Sequence, residues 1–333
     1  MVANAHPVID VSPLVTGVGD RDAVGRAIDA ACREDGFFSI IGHGISVELL
    51  ARLESMGREF FALDDDEKQL IAMVRGGRAW RGWFPLGGEL TSGTPDRKEG
   101  LYFGEELGLD DPRVVAGLPL HGANLFPTRP DALRPTVLAT LDALATLGHQ
   151  LMTGFALALG LDAEWFDREL TEDPVILFRM FHYPALPDDV DDDPGWGVGE
   201  HTDYGLLTIL YQDAGGGLEL RTRDGWVEIP AQPDALVCNL GDMLERMTGG
   251  RYRSTPHRVR SPRGCDRISC PFFFDPGWNT EVKAITRPDG NALDGADDRW
   301  DGASVHDFDG TYGDYLLGKV SKVFPALKSE ALD

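Results

Sequence analysis

From Pro174 onward the sequence consists of short apolar runs that are separated by glycine, proline and aspartate. The runs are rich in Val, Ile, Leu, Phe and Tyr, and each is short enough to be one strand. They are Ile176–Tyr183, Gly205–Tyr211, Leu218–Leu220, Trp226–Ile229, Ala235–Leu240, His257–Val259 and Ile268–Phe274. Many short strands with turn signals between them are typical of an antiparallel sandwich or barrel. The second half of the chain is therefore predicted to form a β core.

The first half of the chain is predicted to be mostly helical. Asp22–Arg33 carries apolar residues at helical spacing, and Ser46 is suited to cap a second helix. A third helical block covers Arg134–Leu161, while Val8–Val11 and Phe37–Ile41 read as short strands. Helices first and strands later predict an α+β chain, with a mainly β core. We expect a jelly-roll barrel flanked by N-terminal and C-terminal helices.

No repeat or low-complexity linker divides the 333 residues, so we predict one catalytic unit. Within it, residues 1–130 form an N-terminal region of helices and strands, 174–280 the jelly-roll core, and 281–333 a C-terminal helical segment. The stretch Tyr312–Phe324 reads as an amphipathic helix that closes over the barrel mouth. The acidic run Asp188–Asp193 is predicted to be a solvated loop rather than a cation site.

The charge and the cysteines limit the partners and the compartment. A formal net charge of -24 repels phosphate backbones and anionic membrane surfaces, so we predict neither a nucleic-acid nor a membrane partner. The four cysteines include no Cys-x-x-Cys pair and read as free thiols of a reducing cytosol. The start of the chain has no signal-peptide pattern, and no apolar run is long enough to span a bilayer. We therefore expect a cytoplasmic protein.

A histidine and an aspartate two residues apart, His201 and Asp203, precede one predicted strand. Residues i and i+2 of an extended segment point to the same face, so this imidazole and this carboxylate converge. His257 opens a later strand, which in a barrel can lie beside the first. Two histidines and one carboxylate leave half of an octahedron open, as in the facial triad of iron(II) oxygenases. Zinc favours tetrahedral sites with N and S donors, and no cysteine is close in sequence to these residues.

Arg267 and Ser269 begin a later apolar strand and share one of its faces. A guanidinium offers a two-pronged donor to a carboxylate, and a neighbouring hydroxyl adds another hydrogen bond. A buried arginine beside a metal site needs an anionic partner. A dicarboxylate that chelates the metal with its other end would provide one.

Taken in order, these motifs resemble a known family. The matching segments are Gly199–Thr208, Ser254–Val259, Arg267–Ser269, Asp35–Phe38 and Gly42–Ile45. They resemble the isopenicillin N synthase-like branch of the iron(II)/2-oxoglutarate-dependent oxygenases, over about residues 7–280.

The resemblance implies a double-stranded β-helix (jelly-roll) core and a role for each motif residue. His201, Asp203 and His257 would bind Fe(II), while Arg267 and Ser269 would hold the C5 carboxylate of 2-oxoglutarate. Tyr183, which precedes a proline on an earlier strand, matches a family tyrosine that also reaches this cosubstrate. The family's usual Asn two residues earlier is replaced by Phe181.

The resemblance also implies a reaction. It is a dioxygenase reaction with O2, which couples oxidative decarboxylation of 2-oxoglutarate to hydroxylation, desaturation or cyclisation of a small molecule. The alternative is a 2-oxoglutarate-independent iron oxidase of the isopenicillin N synthase type, whose Arg and Ser bind the substrate's own carboxylate. A non-catalytic jelly-roll binding protein would lack one or more of these five residues, and all are present. The composition suggests a GC-rich bacterial genome, so antibiotic or other specialised metabolism is a hypothesis.

Four further residues are predicted to contact the substrate. Arg81 and Trp83 lie in an aromatic and cationic cluster, Trp80–Phe84, that reads as an exposed loop near the active-site mouth. Arg179 precedes Tyr183 by four residues and so shares its face of the strand. Phe274 is placed at the end of a strand, where it could line the pocket.

Overall fold

The computed structural model describes residues 6–187, 195–285 and 306–324. The acidic run Asp188–Asp193 therefore lies outside the described residues. Two β-sheets form the core, and helices from the first half of the chain pack against the larger one.

The strands are numbered in chain order. They are β1 (Val8–Asp10), β2 (Phe37–Ile41), β3 (Gly82–Phe84), β4 (Glu99–Gly104), β5 (Val175–Tyr183), β6 (Trp196–His201), β7 (Leu207–Gln212), β8 (Leu218–Thr222), β9 (Gly225–Glu228), β10 (Leu236–Leu240), β11 (His257–Arg260) and β12 (Arg267–Asp275). The larger sheet has the order β1-β2-β10-β7-β12-β5-β4-β3, and the smaller one β6-β11-β8-β9. All pairs are antiparallel except β1 with β2.

The α-helices are also numbered in chain order. They are α1 (Ser12–Thr16), α2 (Arg21–Glu34), α3 (Val47–Phe61), α4 (Asp65–Lys68), α5 (Pro112–Val115), α6 (Leu133–Ala158), α7 (Trp165–Glu169), α8 (Asp242–Met247) and α9 (Tyr312–Val323). Two 3-10 helices, Gln69–Ile71 and Met73–Ala79, follow α4. None of the helices in the described ranges has both the length and the apolar character that crossing a membrane requires.

The helices α2 and α3 form where the sequence predicts them, because their ends are capped. Asp20 accepts a hydrogen bond from Ala23 N at the start of α2, and Ser46 accepts one from Leu49 N at the start of α3. Gly36 ends the α2 segment with φ +65°, and a Cβ there would lie 2.1 Å from Arg253 O. Only glycine is compatible with that turn and close approach.

The strand β12 carries the register that builds the interior. It pairs with β5 on one side and β7 on the other, and its residues alternate between two environments. One set lines a central cavity: Arg267, Ser269, Pro271, Phe273 and Asp275. The other set is buried away from the cavity: Ile268, Cys270, Phe272 and Phe274.

The predicted α+β class with a mainly β jelly-roll core is confirmed. The predicted helix at Tyr312–Phe324 is also present, as α9, and a capping box at Thr311 and Asp314 starts it. The predicted exposed loop at Trp80–Phe84 is wrong. Those five residues are buried, and the last three form β3 at the edge of the larger sheet, paired with β4.

Candidate active site

His201, Asp203 and His257 converge although the last is far along the chain. His201 ends β6 and His257 begins β11, and the two residues are direct partners across this antiparallel pair. Asp203 follows β6 in the turn that leads to β7. Nε2 of His201 lies 3.8 Å from Asp203 Oδ1, and Nε2 of His257 lies 3.7 Å from the same oxygen. One ligand atom from each residue falls within 4.8 Å of the others.

Backbone contacts orient both imidazoles. Nδ1 of His201 is 2.8 Å from Gly199 O, and Nδ1 of His257 is 3.2 Å from Thr255 O. Because a carbonyl accepts only from a protonated nitrogen, each ring carries its hydrogen on Nδ1 and presents the Nε2 lone pair to the cluster. The edge of Phe37 packs on the His257 ring, with ring centroids 5.1 Å apart. This arrangement matches what a metal requires of histidine ligands.

Asp203 is held as a carboxylate. Its Oδ2 accepts hydrogen bonds from Asn239 Nδ2 at 2.7 Å and from the Thr208 hydroxyl, which leaves Oδ1 facing the histidines. Burial alone would raise the pKa of Asp203, but His257 and His201 lower it below its usual value. Burial, assisted by His201, lowers the pKa of His257 to about 4, so this imidazole is neutral at pH 7. Two imidazole nitrogens with one carboxylate are a donor set that suits divalent iron.

Arg267, Ser269 and Tyr183 form a second polar group in the same cavity. Arg267 is the direct partner of Tyr183 across β12 and β5, and its guanidinium lies 4.8 Å from the Tyr183 ring centroid. Tyr183 Oη lies 3.2 Å from Ser269 Oγ. Nη2 of Arg267 donates to Gln212 Oε1, but Nε and Nη1 are buried without a hydrogen-bond partner. Unsatisfied buried guanidinium donors beside two hydroxyls provide the chemistry that binds a carboxylate.

Both groups face one cavity, which opens to solvent. Opposite the metal ligands its wall includes residues of β4, β5, the segment before β4, and α9. The helix contributes Tyr312, Leu316, Val320 and Val323 to this wall, and Phe324 follows. The helix is held in place by the Tyr315 hydroxyl, which donates to Asp242 Oδ2 at 2.7 Å, and by a hydrogen bond from Leu90 N to Val323 O. The predicted closing segment thus lines the cavity.

Of the four predicted substrate residues, Arg179 lines the cavity and Arg81 does not. Arg81 is buried behind Gly104, where its Nη2 donates to Leu120 O at 2.8 Å. Burial, assisted by the nearby charge of Arg179, lowers the pKa of Arg81 to about 9. Trp83 also lies outside the cavity, and its Nε1 donates to Glu99 Oε2 at 2.9 Å. The sequence predicted both residues to lie near the active-site mouth, but the pairing of β3 with β4 at the sheet edge buries them away from the cavity.

Phe274 is likewise directed away from the cavity. It packs on His149 of α6 with ring centroids 4.8 Å apart, while its neighbour Phe273 lines the cavity. The alternation that places Arg267 and Ser269 on the inner face also selects residue 273 rather than 274. The two-residue alternation along β12 is visible in the sequence and would have predicted Phe273, not Phe274, as the cavity residue.

Three cavity residues, Glu89, Lys98 and Tyr102, were not anticipated from the sequence. Glu89 and Lys98 come from the segment between β3 and β4, and Tyr102 comes from β4. They lie in a region without a strand-like pattern of its own, and β4 is positioned by its pairing with β5. Only the alternation of Lys98, Gly100 and Tyr102 on one face hints at a common environment.

Comparisons with known proteins give one answer over most of the chain. Residues 174–276 match the family model described as the 2OG-Fe(II) oxygenase superfamily. Residues 6–129 match the model described as non-haem dioxygenase in morphine synthesis N-terminal.

Similar proteins cover nearly the full length. A probable iron/ascorbate oxidoreductase of Dictyostelium discoideum is 46% identical, over 98% of this chain and 96% of its own. A 1-aminocyclopropane-1-carboxylate oxidase of Dictyostelium mucoroides is 35% identical, over 96% of this chain and 95% of its own. Among solved structures, a full-length Neurospora crassa protein in complex with alpha-KG and thymine superimposes with a TM-score of 0.77 and 26% identity, covering 95% of this chain and 96% of that one.

Proposed function

The chain belongs to the 2OG-Fe(II) oxygenase superfamily, and we propose that it couples decarboxylation of 2-oxoglutarate to oxidation of a small organic molecule. It is an oxidoreductase of a family that uses Fe(II), 2-oxoglutarate and O2. In this reaction 2-oxoglutarate and O2 give succinate and CO2. One oxygen atom of O2 enters succinate. The other enters the substrate as a hydroxyl, or leaves as water when the substrate is desaturated or cyclised.

His201, Asp203 and His257 are the residues proposed to hold iron. Their Nε2 and Oδ1 atoms already converge, and their other polar atoms are engaged by Gly199 O, Thr255 O and Asn239. Bound iron supplies the redox chemistry with O2 that no amino-acid side chain provides. The protein's part is to fix three ligands on one side and to leave the opposite side open to the cavity.

Arg267, Ser269 and Tyr183 are the residues proposed to bind the far carboxylate of 2-oxoglutarate. The observation that carries this proposal is the pair of buried guanidinium atoms, Nε and Nη1 of Arg267, that lack a partner. A carboxylate there would supply an acceptor that this guanidinium lacks, and Ser269 Oγ is placed to add a further hydrogen bond. The same group would orient the cosubstrate so that its keto-acid end faces the metal ligands.

The competing function is the oxidase in which Arg267 and Ser269 bind the substrate itself. The described cavity contains a second buried arginine, Arg179, which supports separate sites for cosubstrate and substrate. The name of one similar protein refers to an amino acid, and one similar structure contains thymine, which supports a small-molecule substrate. We further propose a cytoplasmic location, a role in antibiotic metabolism, and a division of the chain into the regions 1–130, 174–280 and 281–333. The unpaired state of all four cysteines supports the first.

Anaerobic calorimetry on the iron-loaded protein tests the proposal. We expect 2-oxoglutarate to bind with one site per chain, and succinate to form once O2 is admitted with a substrate. Arg267→Ala should weaken 2-oxoglutarate binding by about 10- to 100-fold while it keeps iron. Absence of 2-oxoglutarate binding to the iron-loaded wild type would contradict the proposal and favour the oxidase.

A further inference from the structure

Arg179 places a buried cation in the cavity wall, where the residue is 7% exposed. Its Nη1 donates to two backbone carbonyls, Phe103 O at 3.4 Å and Phe178 O at 3.5 Å. Within residues 6–187, 195–285 and 306–324, no carboxylate lies within ion-pair distance of it. The carboxyl of Asp275, also on the cavity wall, interacts with the Arg179 charge from beyond that distance. Because a buried charge without a directly paired counter-ion is costly, this guanidinium calls for an anionic group in the cavity.

Glu89 lies on the same wall and is also 7% exposed. Its Oε1 accepts a hydrogen bond from the Tyr102 hydroxyl. Its Oε2 lies 2.7 Å from Lys98 Nζ, but no donor in the described part of the chain meets hydrogen-bond geometry at that buried oxygen. A carboxylate oxygen accepts more than one hydrogen bond, so Oε2 keeps capacity for a donor from a ligand.

Lys98 does not neutralise both of its neighbouring carboxylates, because Glu89 and Asp96 share its single positive charge. Its Nζ lies 2.5 Å from Asp96 Oδ2 as well as 2.7 Å from Glu89 Oε2. One ammonium between two carboxylates leaves this cluster with a net charge of about -1. Asp96 is further held by Gly199 N at 3.0 Å and by the Thr91 hydroxyl. The negative end that faces the cavity is therefore Glu89.

Tyr102 separates the two charged ends by the width of one phenol ring. The guanidinium of Arg179 stacks over this ring, with Cζ 3.5 Å from its centroid, while Glu89 receives the hydroxyl at its edge. A ligand that meets both charges must carry an anionic and a cationic group only a few bonds apart. The two ends lie on the cavity side that is built by β4, β5 and α9.

We propose that Arg179 and Glu89 form the substrate subsite of this cavity and select a small zwitterion of the amino-acid type. The substrate carboxylate binds Arg179, and its ammonium group binds Glu89. This inference rests on the proposed function, because it assumes that Arg267 is occupied by the cosubstrate.

The other residues of this cavity wall are apolar, and they determine what kind of group the rest of the substrate can be. Phe273 lies beside Arg179, whose Cζ is 5.8 Å from its ring centroid. Phe324 packs on Tyr102 with ring centroids 5.6 Å apart, and Leu316 and Val320 continue this apolar surface. An apolar hydrocarbon body fits against these side chains, and its C–H bonds then face the metal ligands.

A panel of ligands that differ in charge tests the inference. We would use protein loaded with Fe(II) and 2-oxoglutarate under anaerobic conditions, and measure dissociation constants by calorimetry. The zwitterions are L-leucine, L-phenylalanine and L-proline. Each is paired with the amine that lacks the carboxylate and with the acid that lacks the amine, such as phenethylamine and 3-phenylpropanoate for L-phenylalanine. We expect at least one zwitterion to bind at least about tenfold more tightly than both of its partners, since each charged hydrogen bond has that effect or more.

Two variants assign the two ends of the ligand. Arg179→Gln should weaken the zwitterion and the acid by about tenfold or more and leave the amine unchanged. Glu89→Gln should weaken the zwitterion and the amine and leave the acid unchanged. Glu99→Gln is the matched control, because Glu99 is a buried carboxylate paired with one lysine, Lys68, on the opposite face of β4. It should leave all three ligands unchanged.

The dissociation constant of 2-oxoglutarate distinguishes failure of the zwitterion subsite from failure of the proposed function. If it is unchanged in every variant and no zwitterion binds, or an amine or acid binds as tightly as its zwitterion, the inference is wrong and the proposed function stands. The same conclusion follows if Glu99→Gln weakens binding as much as Glu89→Gln. If Arg179→Gln abolishes 2-oxoglutarate binding instead, Arg179 is the cosubstrate site and the proposed assignment of Arg267 fails with it.

Discussion

The two sides of the cavity are built in different ways. On one side, His201, Asp203 and Arg267 come from motifs that are short in sequence and lie at the ends of strands. On the other side, Glu89, Tyr102 and other wall residues come from segments that have no recognisable motif. Strand pairing and the docking of α9 bring the second set together.

The difference shows what each side has to do. Metal ligands and a carboxylate clamp need fixed residue types at fixed spacing, so their pattern is visible in the chain. A substrate wall needs only matching charge and shape, which many residue combinations provide. The metal ligands are therefore expected to respond to substitution in an all-or-none manner, and the substrate wall in a graded manner.

The largest effect is expected at the carboxylate between the two histidines. Asp203→Ala removes the anionic ligand and leaves Asn239 and Thr208 without their acceptor. Iron content after anaerobic reconstitution and succinate formation should both fall to background. His149→Ala is the control, because His149 is a half-buried histidine of α6 that lies outside the cavity and contacts Asp167. Retention of iron by Asp203→Ala would contradict the metal site.

The neighbouring phenylalanines on β12 give the next largest effect and separate wall from core. Phe274→Ala opens a hole between β12 and α6 and should lower the free energy of unfolding by about 3–5 kcal/mol. Phe273→Ala removes a side chain that borders the cavity and should change stability less. Urea denaturation measures both. Equal losses for the two variants would show that the alternation along β12 is wrongly assigned.

Arg267→Ala is expected to raise the KM for 2-oxoglutarate by about 10- to 100-fold, since a hydrogen bond to a charged group contributes about 1.5–3 kcal/mol. Iron content should stay at the wild-type level. Initial rates of succinate formation at varied 2-oxoglutarate give the KM. A change in kcat with an unaltered KM would contradict a binding role for this guanidinium.

The last effect concerns Asp275, where β12 meets α9, and it appears only in the dependence of stability on pH. Burial raises the pKa of Asp275 to about 7, although the Tyr312 hydroxyl and Leu206 N both donate to it. The folded state then binds more protons than the unfolded state between about pH 4 and pH 7, so stability falls as the pH rises through that window. This group contributes a slope of at most about 1.4 kcal/mol per pH unit.

Asp275→Asn should remove that contribution. The comparison is made by urea denaturation of both proteins at several pH values between about 4 and 8, which brackets the window. The difference in unfolding free energy between variant and wild type should change with pH in this window and become constant above it. A pH-independent difference would show that Asp275 titrates normally.

Much of the fold could be predicted because local signals agreed with the final structure. The cap at Ser46 and the apolar spacing of α2 and α6 indicate these helices without any long-range information. The strand β4 lacks the alternation of apolar and polar residues, because both of its faces are buried. It lies between β5 and β3 in the larger sheet. Its position depends on pairing partners that are distant in sequence.

The candidate site divides in the same way. The convergence of His201 and Asp203 follows from two-residue alternation, and the placement of His257 beside them follows from the pairing of β11 with β6. Arg81 and Trp83 looked like exposed residues because their aromatic and cationic cluster resembles a binding loop. The edge of the larger sheet buries them instead, since Arg81 finds a backbone acceptor and Trp83 finds Glu99.

The most direct test is a crystal structure of the protein grown anaerobically with Mn(II) in place of Fe(II), and with 2-oxoglutarate. We expect one anomalous peak among His201 Nε2, Asp203 Oδ1 and His257 Nε2. The far carboxylate of 2-oxoglutarate should lie within hydrogen-bond distance of Arg267 and Ser269, with Arg179 left free for the substrate. A metal bound elsewhere, or a 2-oxoglutarate carboxylate seated on Arg179, would contradict the assignment of the two sides of the cavity.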